Sequence, residues 1–162
     1  MNAASLALAA RVVLAAVLAV SATTKLRSSV TFSSEALRPQ MGRLVGERYA
    51  PMIGPVLPPA ELVVAVALVA WWSPVPGIVA LVLISAFTVV LVRAQARHVP
   101  CMCFGVSSLD APVGSASIVR NGLLAALAVL AIGDPAGANA VATIVLIIGF
   151  GAIAASAVRA AH

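Results

Sequence analysis

Both cysteines of this 162-residue chain, Cys101 and Cys103, stand one residue apart in the stretch "RHVPCMCFG". Two thiols at this spacing can close a small, strained ring that is easily reduced. A bridge over so short a span restrains almost no chain entropy, so it makes a poor staple. The spacing therefore suits thiol–disulfide exchange. A second chemistry shares the same stretch: His98, Cys101, Met102 and Cys103 are donors that fit Cu(I), or zinc with a fourth ligand. No second CxxC exists to close a zinc site, and no CxxCH exists to hold haem. Free cysteines are often inert small hydrophobes in cores, but the loop setting, beside His98, Pro100 and Gly105, speaks against that, and of the two chemistries redox stands ahead.

Further polar residues stand at the ends of apolar runs: Lys25, Glu61, Arg93, and Arg120 with Asn121. Arg93 and Arg97 read as snorkelling residues whose stems lie along lipid while their heads reach water. Glu61 and Arg120 lie a turn or so inside their segments, where an ionisable group is costly and faces a partner. Lys25 is the natural partner for Glu61. Arg120 suits a thiolate, because a nearby cation stabilises the thiolate and only the thiolate attacks. Glu61 could also carry protons as the thiols change state. Arg11, in the middle of the first apolar run, has no partner that the sequence identifies.

The elements that must hold these groups follow from composition. The chain is 62% hydrophobic and 9% charged, with mean hydropathy +1.12. That is too little charge to cover a water-soluble domain. The expected fold is all-α: a single polytopic membrane helix bundle over residues 1–162, with a four-helix core and a fifth transmembrane helix. The spans fall at about 3–24, 58–72, 78–96, 115–132 and 139–158. The first lacks a basic leading region and reads as a retained helix rather than a signal peptide. Residues 25–55 form an amphipathic connection punctuated by Pro39, Pro51 and Pro55, with short interfacial helices near Ser33–Leu37 and Gly42–Tyr49. Pro58 and Pro59 suit a helix start, and Trp71-Trp72 suits a membrane interface. Residues 97–114 form the cysteine loop.

The net charge is +5. There is no basic tail or aromatic interleaving of the kind nucleic acid needs, so the basic residues serve topology and lipid headgroups. With five spans, the 25–55 connection, the cysteine loop and the C-terminus share one face. Every basic residue except Arg11 lies on that face or at a helix end bordering it. The positive-inside rule then puts the cysteine loop in the cytoplasm, the N-terminus outside and the C-terminus inside. Heavy use of alanine and arginine, with one lysine, fits a GC-rich bacterial genome.

In "SATTKL", "LPPAELVVAVAL", "CMCFG" and "IVRNGLLAALAVL" the chain resembles the MauE/DoxX family of redox-associated membrane proteins, the MauE branch in particular. The likeness runs over roughly residues 5–132, and "CxCFG" followed by "RN" is its specific part. It implies an inner-membrane helix bundle that supports disulfide formation or maturation of methylamine dehydrogenase beside a thioredoxin-like partner. It carries over Lys25, Glu61, Cys101, Cys103, Phe104, Gly105, Arg120 and Asn121 as site residues. Phe104 and Gly105 would shape the loop. The helix end "SATTKL" lacks the glycine expected shortly before the lysine. Maturation of an exported enzyme also wants thiols outside, against the charge bias. The expected function is thiol–disulfide exchange with a thioredoxin-like protein or a membrane quinone. The rivals are a metal handler using His98, Cys101, Met102 and Cys103, and a non-catalytic scaffold or chaperone of a redox complex.

Overall fold

The computed structural model describes residues 2–31, 50–96, 115–139, 143–145 and 147–148, and among these no strand is present. Among the described residues four long helices carry the fold: α1 (Ala3–Thr31), α2 (Ala50–Ala70), α3 (Val75–Ala96) and α4 (Ser115–Ala131). They form the all-α bundle that the composition implies. Residues 143–145 and 147–148 are helical and fall within the stretch expected as a fifth span, the rest of which, apart from Asn139, lies outside the described residues. The interfacial helices expected near Ser33–Leu37 and Gly42–Tyr49 also lie outside them.

Helix bounds differ from the expected spans at two places. α1 continues to Thr31, and α2 begins at Ala50, inside the stretch read as a connection. α2 therefore contains Pro51, Pro55, Pro58 and Pro59, so Pro58-Pro59 are internal to a helix rather than its start. Backbone polar groups in lipid must bond within the chain, and a membrane helix continues through prolines that would end one in water.

The helices alternate in direction. Lys25, late in α1, meets Glu61, midway along α2, while Arg11, early in α1, meets the carbonyl of Trp71 just past α2. Thr88 of α3 meets Asn121 near the start of α4, and Gly77 near the start of α3 touches Ala131 and Ile132 at the end of α4. α1 packs against both α2 and α4, and α3 against α4; the α2–α3 seam is thinner than these. The core takes one stripe from each helix: Ala10, Leu14 and Leu18; Val64, Ala65 and Leu68; Ala80 and Ile84; Leu124, Ala128 and Ala131. Spacings of three and four place each stripe on a single helix face. The outward faces are apolar too, with Leu62, Val63, Val66 and Val69 on α2 and Ile78, Val79, Val82 and Val89 on α3 exposed. A chain in water would not carry such a surface; a chain in lipid must.

Ala3–Leu26 and Val75–Arg93 are long and apolar enough to cross a membrane; the apolar parts of the other two helices, Val56–Ala70 and Ser117–Ala131, are shorter. Over its full 21 residues α2 is about 31 Å long. The exposed Trp71 and Trp72 lie just beyond its end, where amphipathic rings meet headgroups.

One buried cation ties the far end of the bundle together. Arg11 is 1% exposed. Its Nε donates to the Ala131 carbonyl at 2.9 Å and its Nη1 to the Trp71 carbonyl at 3.0 Å. Its Nη2 donates to the carbonyls of Ser73 at 2.7 Å and Gly133 at 3.3 Å. Helix C-termini leave carbonyls without helical partners and carry the negative end of the macrodipole. One guanidinium serves both needs for α2 and α4 together. The same end is closed by Asn2, whose Oδ1 accepts from the Ser5 amide at 3.0 Å and whose Nδ2 donates to the Gly137 carbonyl at 3.0 Å. The Asn139 amide donates to Ser5 Oγ at 2.9 Å. These bonds, and the burial of Leu14 and Leu18, make α1 a wall of the core.

Gly77 is where α3 crosses the end of α4. A Cβ there would lie 2.8 Å from the Ile132 nitrogen and 2.9 Å from the Ala131 carbonyl atoms. Backbone cannot step aside as a side chain can. Gly77→Ala is expected to cost about 1–3 kcal/mol through forced separation of the helices. At Gly122 a Cβ meets nothing within 4 Å. Gly122→Ala is expected to stabilise by about 0.5–1 kcal/mol through helix propensity. Thermal unfolding of both variants in one lipid mixture checks the pair; equal shifts would contradict the packing described here.

Candidate functional site

The end of the bundle opposite Arg11 holds a polar cluster to which all four helices contribute. Lys25 of α1 bonds Glu61 Oε1 of α2. The Glu61 side chain is fully buried and that of Lys25 is 13% exposed. The Lys25 ammonium also sits over the Phe87 ring of α3, 4.9 Å from its centroid. A desolvated cation gains from the electron-rich ring face. The carboxylate neutralises the charge, and the ring face supports it from α3.

The cluster continues through α3 into α4. Next in sequence to Phe87, Thr88 donates to the Ile84 carbonyl at 2.8 Å and accepts from Asn121 Nδ2 at 3.1 Å. Asn121 is fully buried. Ser21, one turn before Lys25 on α1, is buried as well. Ser21 Oγ, Glu61 Oε2 and Asn121 Oδ1 have no hydrogen-bond partner among the described residues. Buried polar atoms are normally paired, and their concentration at one end of an apolar bundle marks that end as more than packing.

The sequence-derived residues fall out as follows. Lys25 and Glu61 are brought together in an ion pair. Asn121 joins the same end through Thr88. Arg120 is half-buried on α4 beside Asn121, and Arg93 is exposed in the last turn of α3, where a cation complements the helix C-terminus. Chain connectivity runs 97–114 from the end of α3 to the start of α4, so the loop is strung from this same end. Cys101 and Cys103, with His98, Met102, Phe104 and Gly105, lie outside the described residues. Phe87, Thr88 and Ser21 were missed by sequence reasoning. Each stands in an apolar run, and only Thr88, a hydroxyl in mid-segment, gave any signal.

A model of the family described as methylamine utilisation protein MauE matches residues 3–134. No curated protein and no solved structure matches the chain. The matched range takes in all four helices, the polar cluster, the Arg11 clamp and both cysteines. With apolar faces turned outward and two helices long enough to span, this is a membrane protein, and the chain belongs to the MauE family.

Proposed function

We propose that the protein carries out thiol–disulfide exchange at the membrane, with Cys101 and Cys103 cycling between dithiol and disulfide. The observation that supports this most is the buried Lys25–Glu61 pair, placed at the bundle end from which the cysteine loop is strung. A bundle in lipid keeps an ion pair at such cost when the pair serves chemistry. Oxidation of the pair forms the S–S bond and releases two electrons and two protons. A thioredoxin-like partner's disulfide accepts them and becomes a dithiol, or a membrane quinone accepts them and becomes a quinol. Run in reverse, the same steps reduce the pair. Arg120 stabilises the attacking thiolate, Glu61 positions Lys25 or takes a proton, and Phe104 and Gly105 shape the loop. In the methylamine setting of the family name, the substrate would be a redox enzyme under maturation, methylamine dehydrogenase in the namesake branch.

The test is a Cys101→Ser, Cys103→Ser double variant together with thiol labelling of intact cells by a membrane-impermeant reagent. The variant is expected to lose function entirely. Labelling in the wild type is expected to require prior reduction in at least one growth state, and also lysis, since the charge bias places the loop in the cytoplasm. Full function in the double variant would leave a scaffold role. Stoichiometric copper or zinc on anaerobically purified protein would replace exchange by metal handling through His98, Cys101, Met102 and Cys103.

A further inference from the structure

Polar side chains from all four helices stand at one height in the bundle. The groove between α1 and α2 runs along residues 12–19 of the one and 62–70 of the other. The two helices are antiparallel, so Ser21 and Glu61 both lie just past the same end of that groove. On the α4 side, Ala7 lies 3.2 Å from where a Cβ on Gly133 would stand. Ser21 and Asn121 are each roughly 20 Å along the bundle from that contact. Asn121 bonds Thr88, whose neighbour Phe87 carries the Lys25 ammonium. Lys25 starts one turn beyond Ser21, and its side chain leans back toward the start of α1, into the same layer. One turn nearer the Arg11 end stand Leu18, Val64, Ala65, Ile84 and Leu124, so the layer rests on the apolar core.

Hydrogen bonding within the layer leaves a defined set of atoms over. The Thr88 hydroxyl uses its hydrogen on the Ile84 carbonyl, so toward Asn121 it can only accept. That fixes the amide, with Nδ2 toward Thr88 and Oδ1 turned away from it, fully buried. Lys25 takes Oε1 of Glu61 and leaves Oε2. Ser21 is 2% exposed, and its Oγ has no hydrogen-bond partner among the described residues. Two oxygens that only accept are left, with one hydroxyl that donates or accepts. Lys25 and Glu61 balance each other, so a cation brought to these oxygens would carry an unmatched charge into lipid. An anion would meet two oxygens that offer it no hydrogen. A water molecule matches the set: it donates to Glu61 Oε2 and Asn121 Oδ1 and accepts from Ser21. Buried waters make about three such bonds, to groups that otherwise go unpaired.

We propose that Ser21, Glu61 and Asn121 bind an ordered water inside the bundle, beside Lys25 and the Phe87 ring. The water joins α1, α2 and α4 through side chains that do not bond one another, and it gives the second oxygen of the buried carboxylate a donor. Its use as the proton donor nearest Glu61 rests on the exchange reading above; its presence does not.

The test uses the full-length protein in lipid nanodiscs. A brief X-ray pulse turns bound water into hydroxyl radicals, which add oxygen to the side chains beside it, scored by mass. Phe87 is 7% exposed and is expected to be labelled all the same. In Ser21→Val, which removes a bonding group and fills its space, the label is expected to fall roughly tenfold. An unlabelled Phe87 in the wild type, or an equal label in Ser21→Val, would overturn the site. Ser21→Ala, a change that suits a helix, tests the sign independently. Removing an unpaired buried hydroxyl raises stability, whereas removing one that holds a water leaves that water short of a bond. A fall of roughly 2–4 °C in melting temperature is expected. No change, or a rise, would sink the proposal. A melting temperature that climbs with sodium at constant ionic strength would also sink it, by giving these oxygens to a cation. The Cys101→Ser, Cys103→Ser variant separates the two ideas: a labelled Phe87 there upholds the water, even if that variant's retained function has ended the thiol reading.

Discussion

Arg11→Leu is expected to lower the stability of the folded bundle by about 3–5 kcal/mol, since each buried carbonyl that loses its donor costs about 1–3 kcal/mol. Arg11 donates to the carbonyls of Ala131, Trp71, Ser73 and Gly133. Leucine fills the volume but leaves those oxygens without the donor that now serves them, at the negative ends of two helices. For a chain of this size the fall corresponds to about 10 °C in thermal unfolding. Arg11→Lys should recover only part of the loss. It keeps the charge but gives up the planar fork that reaches several oxygens at once. Unfolding of all three proteins in one lipid mixture checks the order wild type, lysine, leucine. A leucine variant that melts within about 2 °C of wild type would show that the carbonyls find other partners.

The second large effect separates fold from function at Lys25 and Glu61. Removing either partner strands a buried charge, so Lys25→Ala and Glu61→Ala should each cost about 3–5 kcal/mol. Lys25 should cost slightly more, since its contact with Phe87 goes as well. Replacing both, as Lys25→Met with Glu61→Leu, removes both charges and fills the space. Such exchanges of buried ion pairs are often neutral or stabilising. The double variant is therefore expected to fold as well as wild type and to lose thiol exchange by at least about a hundredfold. Exchange would be followed as reduction of a thioredoxin-like disulfide, and folding by thermal unfolding of the same sample. Wild-type exchange in a well-folded double variant would make the pair purely structural and remove the main support for the proposed function.

Much of this architecture was legible in the chain because lipid permits few solutions. A backbone in hydrocarbon must satisfy itself, so long apolar runs have to be helices, and polar breaks between them have to be connections. Four helices and the class of the fold follow from this constraint. So does the meeting of Lys25 with Glu61: two opposite charges, each a short way inside its segment at the same bundle end, have little choice of partner. Sequence and structure part at α2, where the rules that hold in water place a helix start at Pro58-Pro59. In water Pro58-Pro59 would open a helix; in lipid the helix begins at Ala50 and runs through them.

What the sequence by itself determined was the class of the fold, the end of the bundle that carries charge, and the residue types available for chemistry. These depend on composition and on one-dimensional order, which the bilayer converts directly into structure. The partners of Arg11 were decided only by the tertiary structure, because they are main-chain carbonyls, and every residue has one. The place of Phe87 under Lys25 was hidden for a related reason: a phenylalanine in a membrane span looks like any other apolar residue until a cation is packed against its face. Hydrogen bonds to backbone and contacts with ring faces leave no mark on residue type, so they belong to the packed bundle alone.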